Sequence, residues 1–478
     1  MTTLNYFANS DLSNLESTKD HIYTNFPLTT LLHYPFSWIL PMLIIAIILL
    51  VTILFFGIAM NKITIKGLIK GFTPFTISLI GCIGITILLW KGVLLIHPHY
   101  NDILHGFTYN GYEYIAAFVF LNIWLLFKIY KPFFKKYDSR DLLIAPLIFW
   151  LIINTLIYIY LKGAAYFIIP VYFSLITLAI FVFTTIKRTQ KIVISTLLAI
   201  PVIYIFAPQI KMFPVGLGLK NLFISALFLV LIFGLITPIF GSYKSRKTLV
   251  RIVGLCTLFF FGLATYNNGF TEDRKKPNSI VFINDVDNNQ SYWATYDRMP
   301  DAYTTQFLGQ NPTKGNFTGT TSKSKYNTSY RYHTKTENRA IVAPMITKTM
   351  DTIIDRFRTI SLLIKPQRNV NKIELIANEA ITFNTLGVQD VFLDKKSSDA
   401  VLKVNKGTIL SYFLTKRDSV LKVDFTIEKN IIPNINIIES SFDLLDNPLF
   451  DITPRTNIMM PMPFVMNDAI ITIQKLKL

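Results

Sequence analysis

Apolar stretches of roughly 15–25 residues recur from Ser37 to Tyr266, separated by short basic loops, and none follows Thr271. A helix climbs about 1.5 Å per residue, so about 20 apolar residues are needed to cross a hydrocarbon core. The pattern predicts spans over 37–60, 72–96, 114–130, 142–161, 166–186, 192–210, 222–241 and 252–266. Pro201 and Pro208 predict a kink in the sixth, and the eighth is short.

Beyond residue 270 the period changes from helical to two. In Val420–Glu428, Leu421, Val423, Phe425 and Ile427 share one face while Lys422, Asp424 and Glu428 share the other. That alternation marks a half-buried strand. Ser279–Asn284, Ser291–Tyr296, Thr359–Lys365, Asn371–Ala377, Thr408–Leu414 and Ala469–Leu476 read alike, bounded by Asn, Asp, Gly and Pro turns. Short strands at this spacing favour a sandwich or barrel. The polar stretch Asn311–Lys335 reads as a long exposed loop. The expected architecture is a polytopic α-helical membrane domain of about eight spans (37–266), followed by a β-rich, sandwich-like soluble domain (267–478). A polar extracytoplasmic segment (1–36) precedes both.

Charge sharpens this picture. The formal charge of +18 is concentrated in residues 1–269, which hold 20 Lys plus Arg against 7 Asp plus Glu. Residues 270–478 hold 27 against 22, so nothing resembles a nucleic-acid-binding stripe. Loops after the first, third, fifth and seventh spans carry fifteen Lys and Arg, and the opposite loops carry five. The positive-inside rule then puts both termini outside the cytoplasm. An outside N-terminal segment of this length without a signal peptide leaves two expectations open: an unaided short tail, or a further span upstream. The two cysteines, Cys82 and Cys256, fall inside spans, so the soluble half has no disulfide to form.

Candidate chemistry is sparse. His97, His99 and His105 gather with Asp102 in one loop, and His-x-His beside an aspartate could bind zinc, although an interfacial loop is the commoner meaning. Asp285, Asp287 and Asn289 suggest calcium until the EF-hand register is applied. Its sixth position would be Gln290 and its twelfth Tyr296, so a turn is expected. Gly216 and Gly218 open a dinucleotide fingerprint whose third glycine would fall at Asn221. Tyr292, Trp293 and Tyr296 could form an aromatic ligand platform, though strand aromatics are usually core. Ionisable groups in the spans are confined to their ends, as at Lys91, Glu113 and Lys128. Ion-coupled transporters keep such groups at mid-membrane, so a transporter ranks last, with a lipid-linked glycosyltransferase beside it.

One segment points to a family. Lys276–Gly309, KPNSIVFINDVDNNQSYWATYDRMPDAYTTQFLG, resembles the start of the domain after the last span in membrane-bound members of metallopeptidase family 28. That group includes aminopeptidase-like proteins, the vacuolar membrane protease and the endoplasmic reticulum metallopeptidase. His33–Pro41, His105–Phe118 and Met460–Ile470 fit the same pattern. The resemblance implies a hydrolase with two zinc ions, held by a His-x-Asp motif and a Glu-Glu pair in a catalytic domain on the non-cytoplasmic face. Neither motif occurs in this chain, so no catalytic, cofactor-binding or metal residue is carried over. The expected function is the non-catalytic membrane and C-terminal portion of such a peptidase, anchoring a peptidase domain or chain. The alternative is a membrane-anchored extracytoplasmic binding or scaffold protein. Its partners would be the lipid bilayer and a peptidase domain, without nucleic acid. Heavy use of Ile, Lys, Asn, Phe and Tyr suggests a bacterial inner membrane with the C-terminal domain periplasmic. In a eukaryote the membrane would be vacuolar or of the endoplasmic reticulum.

Overall fold

The computed structural model describes the chain except residues 1–4, 6–7, 12–18, 27–28, 244–245, 316–325, 327, 394–399, 416–418 and 478. Two units divide it: one comprises 1–96 and 106–268, the other 97–105 and 269–478. The assignment of loop His97–His105 to the β-rich unit is new.

The first unit is helical: α1 (Ile39–Ala59), α2 (Ile65–Ile96), α3 (Gly111–Lys136), α4 (Ser139–Tyr160), α5 (Ile168–Phe183), α6 (Arg188–Leu217), α7 (Leu222–Leu235), α8 (Thr237–Ser242) and α9 (Arg246–Tyr266). Among the described residues, seven helical segments are long and apolar enough to cross a membrane; α7, with its preceding 3₁₀ turn, is shorter. Seven of the eight expected spans correspond to these helices, and the remaining one, 222–241, falls on the shorter α7 and on α8. Ile236 breaks α7 from α8, and Pro238 sits in the first turn of α8. The sixth span continues as one helix through Pro201, Pro208 and Pro214. His21–Phe26 and Thr29–Pro35 pair as antiparallel strands, where only a polar segment was expected.

Apolar association contributes little between helices in lipid, so close backbone approach and hydrogen bonds carry the packing. A Cβ on Gly234 of α7 would lie 2.6 Å from Pro146 of α4, and one on Gly71 of α2 would lie 2.7 Å from the Asp141 carbonyl oxygen. The Trp150 indole stacks on Phe206 at 4.4 Å and donates to the Leu231 carbonyl at 3.2 Å. Outward-facing side chains of α1, such as Ile44, Ile48 and Phe55, are exposed, as lipid contact allows. Helices α3 and α9 run antiparallel: Asn110 donates to the Ala264 carbonyl at 2.7 Å, Phe120 stacks on Phe260 at 5.5 Å, and Trp124 meets Gly254. Likewise Ser225 donates to the Ile210 carbonyl at 2.6 Å while Arg188 donates to the Ser242 carbonyl at 2.6 Å. The segment 222–242 therefore runs the length of α6 in the opposite direction.

The second unit contains an eight-stranded sheet in the order Gly407–Phe413, Lys372–Ala377, Ile435–Ser441, Ala469–Lys475, Val281–Asp285, Gln290–Thr295, Tyr332–Thr336 and Thr313–Lys314. Neighbours are antiparallel except Ala469–Lys475 with Val281–Asp285. A five-stranded antiparallel sheet runs Val391–Phe392, Thr385–Val388, Leu421–Glu428, Phe357–Lys365 and Met345–Ile354. Val423 and Phe425 of the smaller sheet share one buried core with Ile373, Leu375 and Ile437 of the larger. Every strand expected from period two is present within one or two residues. The stretch Asn311–Lys335 differs from expectation. Its ends are the paired strands Thr313–Lys314 and Tyr332–Thr336, and 316–325 lie outside the described residues.

Candidate functional site

The residues singled out in sequence do not converge. Asp285 accepts from the Asn288 amide at 3.2 Å and its side chain at 2.8 Å, and Asn289 takes φ 48°, so this segment is the expected turn. Asp287 accepts from the Lys475 amide at 2.5 Å, tying that turn to the last strand. Trp293 packs among Phe282, Phe307 and Phe450, whereas Tyr296 lies on the opposite face against Tyr330 at 4.4 Å. They form no common platform. Gly218, at φ 84°, follows the end of α6. Glu113 accepts from Asn267 at 2.8 Å, and Lys128 sits over the Trp124 ring at 5.0 Å.

The histidine loop behaves differently from a metal site. His99 packs edge-on against Tyr100 at 4.7 Å and Phe270 at 5.3 Å, and His105 is exposed. Among the described residues no group of three His, Cys, Asp or Glu side chains converges as a metal site would. The two zinc ions implied by the resemblance therefore lack a donor set among these residues.

Asp102, however, is 1 % exposed and accepts a 2.6 Å hydrogen bond from the backbone amide of Arg298. The neighbouring Asp297 is fully buried. Its Oδ1 accepts from the Ser279 amide at 2.8 Å and the Ser279 hydroxyl at 2.7 Å. Among the described residues, the second oxygens of both carboxylates, Asp102 Oδ2 and Asp297 Oδ2, have no hydrogen-bond partner. Burial pushes the Asp297 carboxyl up to about 8, opposed by the Ser279 hydrogen bond and reinforced by the charges of Asp102 and Asp301. Burial also raises Asp102, to about 6, against the pull of the Arg298 amide and Lys276. Asp301 is lowered. Its burial is outweighed by Lys276 at 3.0 Å, Asn278 at 3.1 Å and the amides of the short helix Ala302–Leu308 that it caps.

Arg298 itself faces outward into an open cleft of about 380 Å³, whose other cations are Lys314 and Arg331. The Gly315 amide donates to the Arg331 carbonyl at 2.9 Å, and the Arg331 amide donates to the Thr295 carbonyl at 2.8 Å. Burial and then the nearby Arg331 charge lower the Arg298 pKa. Among the described residues no carboxylate lines the cleft. Three cations on a strand-supported rim suit a carboxylate or phosphate group, since Arg presents a planar fork of donors. Ser279 is fully buried and donates to Asp297, so it is a structural hydroxyl rather than an exposed nucleophile.

Sequence reasoning missed Asp297, Arg298 and Arg331 and caught Asp102 for another reason. Comparison with protein-family models, with curated proteins and with solved structures finds no match to this chain.

Proposed function

We propose that the chain is the non-catalytic membrane and C-terminal portion of a membrane-bound, aminopeptidase-like zinc metallopeptidase, holding a peptidase domain outside the cytoplasm. The observation that carries this reading is where the family-like segments lie. Met459–Pro461 pairs in parallel with Lys276–Asn278, and Ala469–Lys475 pairs with Val281–Asp285. Two of the four segments that carry the resemblance to family 28, distant in sequence, thus contribute strands that pair. The decisive experiment is to read the DNA upstream of the Met1 codon. A frame encoding a His-x-Asp and Glu-Glu bearing domain is expected, and an unrelated gene or promoter would overturn the reading.

The finer topology belongs to the same proposal. Residues 97–105 and 269–478 form one unit, so the chain crosses an even number of times between Ile96 and Gly269. Five long helices lie in that interval. The interrupted segment 222–242, running antiparallel beside α6, supplies a sixth, which gives eight spans in all. Loop charge directs the β unit outside, to the periplasm in a bacterium. Its two sheets sharing one core favour a sandwich.

A second reading, an extracytoplasmic binding module, draws on the Arg298–Lys314–Arg331 cleft. It predicts saturable binding of an acidic dipeptide or inorganic phosphate to the full chain, weakened by Arg298→Gln. Equal binding by wild type and variant would remove it.

A further inference from the structure

A second cluster of cations lies in the helical unit. Lys128, Lys131 and Lys135 of α3 and Lys247 and Arg251 of α9 line a cavity of about 490 Å³. Spacings of three and four place Lys128, Lys131 and Lys135 along one face of α3, and Lys247 and Arg251 along one face of α9. Because α3 and α9 are antiparallel, the two columns face each other at the same end of the pair. Phe127 and Val250 supply an apolar wall between them.

A solvated basic loop would satisfy the positive-inside rule, but this cluster is not a loop. Lys128 lies eight residues before the end of α3, roughly 12 Å along the helix axis. Among the described residues none of the five cations forms a salt bridge. Like charges held in a part-apolar groove repel one another unless an anion enters. The ligand must carry concentrated negative charge and also tolerate Phe127 and Val250. An anionic phospholipid meets both demands: its phosphate reaches the ammonium and guanidinium groups while its acyl chains lie along the helices.

We propose that the groove between the C-terminal half of α3 and the N-terminal half of α9 is a binding site for the headgroup of an anionic phospholipid. The inference rests on the membrane-spanning reading of the helices and is independent of the peptidase proposal. Phosphatidylglycerol is the probe and phosphatidylcholine the control.

The full chain is purified in a zwitterionic detergent, and bound lipid is counted by native mass spectrometry during titration with each lipid. Wild type is expected to retain one or two phosphatidylglycerol molecules and to bind it at least tenfold more tightly than phosphatidylcholine. The triple variant Lys131→Gln, Lys135→Gln, Arg251→Gln is expected to lose that preference, and a charge-keeping Lys131→Arg, Lys135→Arg, Arg251→Lys variant to keep it. Gln substitutions at Lys211 and Lys220 control for net charge and should change nothing. If the triple Gln variant fails to fold, the wild-type preference and its survival in the charge-keeping variant decide the matter. Equal affinity for both lipids, or a preference undiminished in a folded triple Gln variant, overturns the proposal. Displacement of phosphatidylglycerol by inorganic phosphate at equal concentration also overturns it, assigning the groove to a free anion.

Discussion

Asp102 accepts its hydrogen bond from the Arg298 amide across 196 residues of sequence. A loop between two membrane helices thereby supplies a buried acid to the β-rich unit. Arg298 in turn stands next to Asp297, so one short stretch of backbone connects two buried carboxylates to the cationic cleft. The energetic consequence is a folded state that retains protons the unfolded chain would release.

That consequence has a sign. Asp297 is raised to about 8 and Asp102 to about 6, both by burial first. Between the ordinary carboxylate range and these values the folded unit binds more protons than the unfolded chain. Their contribution to stability is therefore complete at about pH 4 and is lost as pH rises through 6 and then 8. Asp297→Asn keeps an oxygen for Ser279 and mimics the protonated acid. It should abolish the loss above pH 6, an effect on the order of a few kcal/mol. Hydrogen exchange at the amides of Ile280–Ile283, followed from pH 5 to 8.5 and corrected for intrinsic rates, reads it. An unchanged pH profile in the variant would refute the assignment.

Arg455 offers a separate test. Its guanidinium makes a two-pronged ion pair with Asp468 at 2.7 and 2.8 Å and donates to Asn278 at 2.6 Å, and it lies over the Tyr303 ring at 4.6 Å. Arg455 and Asp468 are 8 % and 14 % exposed, so removing one partner strands the other in a poorly solvated place. Arg455→Ala should cost about 3–5 kcal/mol. Arg455→Lys should recover only part of it, because a point charge cannot make the paired contact. Protease susceptibility around Met459–Pro461 measures the loss, and an alanine variant as resistant as wild type would show the pair to be dispensable.

Much of this architecture is legible in the sequence because it is encoded redundantly. A 20-residue apolar run survives any local ambiguity, and Leu421–Glu428 declares itself because its two faces meet different surroundings. Ile435–Ser441 has no such contrast. It lies third in the eight-stranded sheet with all but Asn436 buried, yet Glu439, Ser440 and Ser441 are among its buried residues, so no apolar alternation marks it as a strand. The edge strand Thr313–Lys314 and its neighbour Tyr332–Thr336 fail for a different reason, being short, polar and largely unburied. The pairing of Asp102 with Arg298 has no local signature at all. Its one trace is an aspartate in a loop of aromatic and histidine residues, and that trace equally suggests a metal.

Asp141 provides a prediction within the helical unit. Its carboxylate accepts from the Thr64 amide at 3.1 Å and the Thr64 hydroxyl at 3.2 Å, just before α2 begins. A Cβ at Gly67 would lie 2.0 Å from that carboxylate, so glycine is required there. Thr64 Oγ1 also accepts from the Gly67 amide at 3.0 Å, so Asp141 buttresses the residue that caps α2; Asp141→Ala should cost about 1–2 kcal/mol by leaving the Thr64 amide without its acceptor. Gly67→Leu should be worse, since it also separates α2 from α4. Thermal aggregation in detergent ranks the three proteins, and wild-type behaviour of Gly67→Leu would show that the helices do not approach here.

The most consequential prediction concerns the interrupted segment 222–242. Ser225 beside Ile210 and Ser242 beside Arg188 set its two ends at opposite ends of α6. If α6 crosses the membrane, this segment must cross as well, although α7 alone is only 14 residues long. Together the 21 residues from Leu222 to Ser242 reach about 30 Å, the thickness of a hydrocarbon core. Single cysteines placed in a background of Cys82→Ser and Cys256→Ser test this with a membrane-impermeant maleimide on sealed vesicles of known orientation. Lys220→Cys should label with His105→Cys and Asn288→Cys, and Tyr243→Cys should label with Lys135→Cys from the other side. Labelling of Lys220→Cys and Tyr243→Cys from one side would leave seven crossings. It would also put His105 and Asn288 on opposite sides of the bilayer and so overturn the eight-span reading.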